Sequence, residues 1–323
     1  MNKSKLIKGI NILLLLTVFF FVGRFLFMNY NALKDFEFSI RYDFFAFSLL
    51  FVWLWLFISA TGFHYIMKKI AQQTTFAENL SVWSTSYLGV YIPGKIGVVA
   101  FRILHYKKKG ISTAKVSYGF FIEMVLSTLS SVFIVLICSL FSAYSFINYY
   151  IIYIVVFFVL LIVLIHPKLI SFYARMYFKY VKKTDENYES PYSYAFYLKI
   201  LALQLIKWVF AGLGIFVLIN SVTDLSWEYI PFVTGLYAAA AILGMIAFFA
   251  PSGVGVVEGI MIFGLKRILS NSLAGLISIF VRLWKVLGEL SFVFFIRLII
   301  RFFCNEYHLP LLGKRYHNDA KDA

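Results

Sequence analysis

Long apolar runs separated by short charged loops dominate the chain and predict membrane-spanning helices. The runs cover residues 7–28, 44–67, 116–141, 149–165, 198–220, 231–250 and 273–303, with a shorter run at 254–269. Most of them reach or approach the roughly 20 residues that a helix needs to cross about 30 Å of hydrocarbon. We therefore predict an all-α polytopic integral membrane protein with about eight transmembrane helices.

Two stretches interrupt this apolar pattern with proline and glycine, at Tyr91–Arg102 and at Ala250–Leu265. A helix facing lipid cannot break its backbone hydrogen bonds, because hydrocarbon offers no replacement partners. Such breaks are tolerated where protein surrounds them or where they line a wet cavity. We therefore predict re-entrant or broken helices at Pro93 and Pro251, and a functional site close to them.

The segment 80–101 allows two readings, a complete crossing or a hairpin that enters the membrane and returns. The loop that follows, 102–115, carries five lysines and arginines and no acid. Basic loops remain on the cytoplasmic side, so the charge pattern favours the hairpin. By the same rule, the lysines at positions 3, 5, 8, 68 and 69 place the N-terminus in the cytoplasm of an inner-membrane protein. Lys266 and Arg267 conflict with this rule, because the same topology places them outside.

Residues 167–190 carry lysines, arginines and aromatic side chains at helical spacing. This pattern suits an amphipathic helix lying in the membrane interface, and it suits a solvated loop equally well. We expect one membrane domain over residues 1–305 and a short basic cytoplasmic tail over 306–323.

The composition supports the membrane assignment and excludes other classes. Hydrophobic residues make up 62% of the 323 positions and charged residues only 14%, against about 25% in globular domains. The formal net charge of +15 is explained by lysines and arginines that collect in the cytoplasmic loops of membrane proteins. No soluble segment is long enough for a nucleic-acid-binding module. Cys138 and Cys304 read as core residues, so we expect no disulfide, metal site or cofactor.

Charged residues inside predicted spans are costly and mark candidate sites. They are Glu123, Glu258, Arg282, Lys285 and Glu289, of which the last three share one helix face. One interpretation is an internal ion pair of Glu289 with Lys285 or Arg282 that only stabilises the packing of the helices. The other is that Arg282, Arg102 and Lys95 bind a phosphate-bearing ligand. Lys207 and Arg24 lie nearer the ends of their predicted spans, where a long side chain reaches the interface.

The break at Pro251 strengthens the phosphate reading, because a new helix begins after it. The first backbone N–H groups of a helix lack partners, and its positive dipole end favours an anion. Ser252 is the candidate N-cap, and Gly253 and Gly255 allow the turn. Glu123, Glu258 and Glu289 are the candidates for pairing charges or carrying protons.

The first break resembles a motif of the transmembrane domain family of lysylphosphatidylglycerol synthases, also called flippase-like domains. The resemblance lies in Pro93, Gly97 and Arg102, whereas Val98 stands where this family has glutamate. The second break resembles the later motif of the family through its proline, its glycines and Glu258. Glu123 and Arg282 resemble an acidic residue and an arginine of neighbouring family helices, although the arginine usual after that acidic residue is replaced by Met124.

This resemblance implies a protein of envelope lipid or glycan biogenesis, because the family includes flippase domains and membrane proteins of archaeal dolichol-linked glycan pathways. We expect a transporter that flips an anionic lipid, either a phospholipid or a polyprenyl-phosphate-linked sugar, across the cytoplasmic membrane. About twenty residues follow the last predicted helix, so we expect no aminoacyl-transferase domain. There is no nucleotide-binding P-loop motif, so transport would be downhill or coupled to an ion.

Two alternatives remain open at this point. One is an accessory subunit of a glycan-assembly pathway, with glycosyltransferases as partners. The other is an integral-membrane transferase that uses a lipid-linked donor, with the same carboxylates as general base.

Overall fold

The computed structural model describes residues 40–92, 96–141, 166–181, 192–247 and 250–303, together with isolated positions in the predicted spans 7–28 and 149–165. Nine α-helices make up these ranges: α1 Tyr42–Ile70, α2 Phe76–Tyr87, α3 Ile96–Lys107, α4 Thr113–Phe141, α5 Pro167–Val181, α6 Tyr194–Asn220, α7 Ile230–Ile246, α8 Val256–Leu265 and α9 Asn271–Phe303. Three short 3-10 turns accompany them, at Leu88–Tyr91, Trp227–Tyr229 and Pro251–Gly253. The residues Pro93–Lys95 and the predicted tail lie outside the described part.

The described part confirms the all-α membrane fold. Helices α1, α4 and α6, and α7 with the turn before it, are long and apolar enough to cross a membrane. The bounds of the described helices agree with the predicted ones to within four residues; the largest differences are at the start of α6 and at the ends of α7 and α8. Helix α5 covers the first 15 residues of the predicted amphipathic stretch; residues 182–190 lie outside the described part.

Two ends of the bundle serve as reference points. At the Arg41 end, where α1 begins and α6 ends, Arg41 binds Asn220 and Asp224. At the Ala71 end, where α1 ends and α2 begins, Tyr192 donates a hydrogen bond to the backbone of Ile66. Each end therefore brings distant parts of the chain together.

Helices α2 and α3 form a hairpin that opens at the Ala71 end. Glu78 near the start of α2 binds Lys109 just after α3 at 2.7 Å, and His105 at 3.1 Å. Each arm has 12 residues, about 18 Å of helix, which is too short to cross a bilayer. Gly89 and Gly97 let the arms meet, because a Cβ on Gly89 would lie 2.5 Å from the Gly97 backbone. This confirms the predicted hairpin instead of a complete crossing.

A second hairpin, α7 and α8, enters from the Arg41 end. Helix α7 runs antiparallel to α6, and Met245 near its end contacts Thr128 in the middle of α4. Helix α8 returns beside α7, since Gly264 packs against Leu236. Helix α9 then runs from the end of α8 past the hairpin tips to Arg297, whose side chain lies beside Thr85 of the first hairpin.

The tips of the two hairpins meet inside the bundle, where the turn Leu88–Tyr91 contacts the turn Pro251–Gly253. Helices α1 and α6 form the wall behind them, packed against each other along most of their length. Small residues allow this close approach, as a Cβ on Gly214 of α6 would lie 2.8 Å from the Cβ of Phe51 of α1. The fold therefore places both sequence breaks together at mid-depth.

Candidate functional site

A cavity of about 200 Å³ lies beside the meeting point of the hairpin tips. Its lining comes from the middle turns of the long helices and from both hairpins. The charged and hydroxyl-bearing residues in this lining are Ser59, Tyr87, Arg102, Glu123, Ser127, Thr128, Ser131, Lys207, Tyr237, Ser252 and Lys285, with tryptophans at 55, 83 and 208. A cavity with charged walls at the depth of a bilayer centre is a candidate site.

Arg102, from the first hairpin, is 1% exposed and forms an ion pair with Glu123 of α4. Its Nε donates to the Ser86 hydroxyl at 2.9 Å, and its guanidinium lies 4.1 Å from the ring centroid of Phe63. The second oxygen of Glu123 accepts a hydrogen bond from Trp83 at 2.6 Å. Both charges are therefore matched and held in place by neighbouring donors and rings.

Arg282 of α9 is equally buried and forms an ion pair with Glu258 of α8. Its Nη1 lies 3.2 Å from the Ser252 carbonyl and 3.3 Å from the Ser252 hydroxyl. Its Nη2 has no hydrogen-bond partner among the described residues. Arg282 thus connects the last long helix to the turn at the second break.

The turn before α8 depends on left-handed backbone conformations. Ser252, Gly253 and Gly255 have φ values of 51°, 68° and 86°. Glycine adopts this region without a steric penalty, whereas serine does so at a cost of order 1 kcal/mol. The hydrogen bonds from Arg282 and Lys285 to Ser252 hold it there.

The prediction that Ser252 caps this helix is wrong. Gly255 is the N-cap, and its N–H donates to the carboxylate of Glu258 at 2.6 Å. The positive φ values delay the start of the helix by three residues, and the glutamate in its first turn takes the place of a capping serine. The positive helix start is therefore partly neutralised by a residue of its own helix.

Lys285 and Glu289 form the predicted ion pair on one face of α9, with Nζ and Oε1 3.6 Å apart. The other oxygen of Glu289 accepts a hydrogen bond from the Tyr91 hydroxyl at 2.8 Å. Lys285 also donates to the Ser252 hydroxyl at 2.9 Å. These contacts tie α9 to the tips of both hairpins.

Lys207 is the site residue that the sequence did not indicate. The expectation that it reaches the interface is wrong, because it lies in the middle turns of α6, is 5% exposed and lines the cavity. Its Nζ donates to the Ser127 hydroxyl at 2.7 Å and lies 5.1 Å from the Trp208 ring centroid. Within the described part of the chain it has no carboxylate within ion-pair distance.

The structure brings Arg102, Ser252, Gly253, Gly255 and Arg282 into one region, whereas Lys95 lies outside the described residues. Among the described residues, Arg102, Lys207, Lys285 and Glu123 line the cavity. Arg282 and Glu289 lie next to this lining, to which a hydrogen bond to Ser252 and an ion pair with Lys285 connect them, and Glu258 is paired with Arg282. Among the described residues each of these carboxylates has its own cation, which leaves Lys207 as the cation without a carboxylate partner. In the described part, no group of three His, Cys, Asp or Glu side chains is arranged to hold a metal.

The geometry defines a class of integral membrane protein in which two opposed hairpins enclose a charged cavity. The chain matches the family model described as the lysylphosphatidylglycerol synthase TM region over residues 8–288, and it belongs to this family. The match includes both breaks and both arginine–glutamate pairs. A comparison with curated proteins found no match.

Proposed function

We propose that this protein moves an anionic lipid across the cytoplasmic membrane, with the headgroup phosphate passing through the central cavity. The lipid is a phospholipid or a polyprenyl-phosphate-linked sugar. The acyl or polyprenyl chains stay among the apolar faces of the helices. The family supports a role in the membrane, and the chemistry of the cavity supports an anion as the ligand.

The observation that carries this proposal is Lys207, a buried lysine in the cavity wall without a carboxylate partner among the described residues. A buried charge without a partner is costly, and it marks a place where an anion would be stabilised. Lys285 donates to Ser252 from another helix of the same wall, as Lys207 donates to Ser127. Two ammonium groups with adjacent hydroxyls supply the kind of donors that phosphate oxygens accept.

A test uses proteoliposomes that contain the purified chain and a fluorescently labelled phosphatidylglycerol. Transport is the rate at which label becomes accessible to a membrane-impermeant quencher, relative to protein-free liposomes. We expect the protein to accelerate this rate and Lys207→Met to reduce the acceleration by about tenfold, the equivalent of one charge-assisted hydrogen bond of ~1.4 kcal/mol.

Lys199→Met is the matched control, because Lys199 is an exposed lysine on the same helix, two turns from Lys207. We expect this variant to transport as the wild type does. Equal rates for Lys207→Met and wild type, with both proteins monodisperse, would overturn the assignment of the cavity. The absence of acceleration for phosphatidylglycerol and for a polyprenyl-phosphate sugar would instead favour the accessory role.

A further inference from the structure

Building on the proposed transport function, we infer that the cavity recognises a headgroup with free hydroxyl groups, a small polyol joined to the lipid phosphate. Glycerol and a sugar are the two sources of this chemistry. The phosphate lies beside Lys207 in this arrangement, and the polyol lies beside the neighbouring turn of α6, where Gln204 lines the same cavity. The inference rests on the hydrogen-bonding groups of this part of the wall, which are neutral.

Gln204 is a buried amide in the cavity wall with an unused acceptor. It lies three residues before Lys207, so the two side chains share one face of α6. The residue is 1% exposed, and its Oε1 has no hydrogen-bond partner among the described residues. A buried acceptor without a partner is unfavourable and calls for a donor. A ligand hydroxyl is a neutral donor that fits an amide oxygen.

Hydroxyl groups beside Gln204 add further acceptors to this wall. Ser59, Thr128 and Ser131 line the cavity, and each donates its proton to a backbone carbonyl of its own helix at 2.7–2.8 Å. Each of these oxygens therefore has only lone pairs left for a ligand. Such bonds are common in membrane-spanning helices and need no ligand by themselves. Together with the unpaired amide oxygen, however, they make this wall a surface of acceptors, and its ligand must supply donors.

The aromatic part of the wall suits the carbon skeleton of a polyol. The ring of Tyr237 lies 6.2 Å from those of Trp55 and Trp208, centroid to centroid, and all three residues line the cavity. An apolar aromatic wall with a few placed polar groups is the usual construction of a site for a small organic ligand. A site built to bind hydroxyls rejects the analogue that lacks them, because its own buried groups then stay unpaired.

The test compares lipids that differ only in the hydroxyls of the headgroup. Dioctanoyl phosphatidylglycerol and dioctanoyl phosphatidylmethanol are phosphodiesters of equal charge, and only the first has free hydroxyls. The purified chain in neutral detergent is titrated with each, and the fluorescence of the cavity tryptophans at 55, 83 and 208 reports occupancy. We expect phosphatidylglycerol to bind about tenfold more tightly, a difference of ~1.4 kcal/mol.

A second matched pair distinguishes the two sources of the polyol. Citronellyl phosphate esterified to a hexose is compared with citronellyl methyl phosphate, again at equal charge. The pair with the larger ratio of affinities identifies glycerol or a sugar as the better ligand. A ratio of about tenfold in either pair supports the inference.

Gln204→Met removes the amide and keeps a side chain of similar length. Because Oε1 has no partner among the described residues, the substitution leaves no described group unpaired. We expect the advantage of phosphatidylglycerol to fall from about tenfold to about twofold, with the affinity for phosphatidylmethanol unchanged. A merely structural effect would weaken both lipids alike and leave their ratio as it was.

A second variant, Ser59→Ala, removes one acceptor from α1, and it should reduce the same ratio by about threefold. Ser48→Ala is the matched control, because Ser48 is buried on the same helix and bonded to its own backbone, but is not part of the cavity lining. This control should keep the full ratio. Should Gln204→Met fail to fold, the comparison of the two serine variants decides.

Equal affinity of the wild type for both members of each lipid pair would overturn the inference, as would an unchanged ratio in both Gln204→Met and Ser59→Ala. Tighter binding of dioctanoyl phosphatidylethanolamine than of phosphatidylglycerol would also overturn it, because the acceptors would then serve an ammonium group. A preference for the polyol without any transport would refute the proposed function and leave this inference standing. Transport with equal affinities within each pair would do the reverse.

Discussion

In both hairpins a buried arginine–glutamate ion pair joins the returning arm to the next long helix, but the arginine and the glutamate have exchanged places. In the first hairpin, Arg102 lies on the returning arm and Glu123 on the long helix that follows it. In the second, Glu258 lies on the returning arm and Arg282 on the long helix that follows it. The hairpins also enter from opposite ends of the bundle. In each case one buried ion pair holds the broken segment against the next helix. The comparison shows that either of the two elements can supply the arginine.

The two pairs differ in how much of the cavity they face. The side chain of Glu123 is 14% exposed, and it borders the cavity, whereas that of Glu258 is 7% exposed and lies behind Ser252. Water in the cavity would stabilise an orphaned Glu123 better than an orphaned Glu258. Breaking the first pair should therefore cost less free energy of unfolding than breaking the second.

The largest expected effect follows from breaking the second pair. Arg282→Met leaves Glu258 buried without a cation, and we expect a loss of about 3–5 kcal/mol in the free energy of unfolding. Arg102→Met should cost less, about 1–3 kcal/mol, because the side chain of Glu123 is the more exposed of the two carboxylates and lines the cavity. Unfolding by sodium dodecyl sulfate titration in mixed micelles measures both.

The double variant Arg282→Met/Glu258→Gln serves as control, since it removes the unpaired charge and should recover part of the loss. Equal losses for the two arginine variants would contradict the difference that we draw between the hairpins.

A smaller effect concerns the turn of the second hairpin. A Cβ on Gly253 would meet both an unfavourable φ and the Gly244 backbone at 2.9 Å, whereas a Cβ on Gly255 would meet only the unfavourable φ. We expect Gly255→Ala to cost about 1–2 kcal/mol and Gly253→Ala ~1–3 kcal/mol more. The same titration compares these two, and a Gly255→Ala variant as unstable as Gly253→Ala would show that the close contact with Gly244 is unimportant.

The smallest expected effect concerns the open end of the first hairpin, for which the second hairpin has no counterpart among the described residues. Burial raises the pKa of Glu78, but hydrogen bonds and charge interactions with His105 and Lys109 outweigh it, so the pKa lies below 4.5. The stabilisation is thus present above pH 4.5 and is lost as the pH falls through the lowered value. Glu78→Gln should cost about 1 kcal/mol at neutral pH.

Thermal unfolding in detergent across pH 3–7 measures this contribution. The difference in melting temperature between wild type and Glu78→Gln should narrow below pH 4.5, the ordinary value for this carboxyl group. A difference that stays constant over the whole range would show that the charge of Glu78 does not hold the hairpin arms together.

The sequence was sufficient to predict the elements that depend on local pattern. Apolar length predicts helices α1, α4 and α6, and the basic loop after Arg102 predicts the first hairpin. Proline and glycine predict the break at Pro251. Helical spacing predicts the Lys285–Glu289 pair, because its partners are four residues apart on one helix.

Features that depend on packing between helices could not be read from the sequence. Lys207 belongs to no motif, and its partner Ser127 is 80 residues away. Its position in the cavity wall follows only from the packing of α6 against α4. Likewise, the late start of α8 depends on the left-handed turn, which Arg282 and Lys285 hold from another helix.

The short sequence distance within each arginine–glutamate pair has a consequence for biosynthesis. Arg102 and Glu123 are 21 residues apart, and Glu258 and Arg282 are 24 apart. A single arginine or acidic residue at the centre of a nascent span opposes insertion by the translocon by about 2.5–3.5 kcal/mol. Because each partner follows on the next helix, the two segments can leave the translocon together as an electrically neutral unit. Each hairpin can thus enter the bilayer together with the next helix, without an unpaired charge.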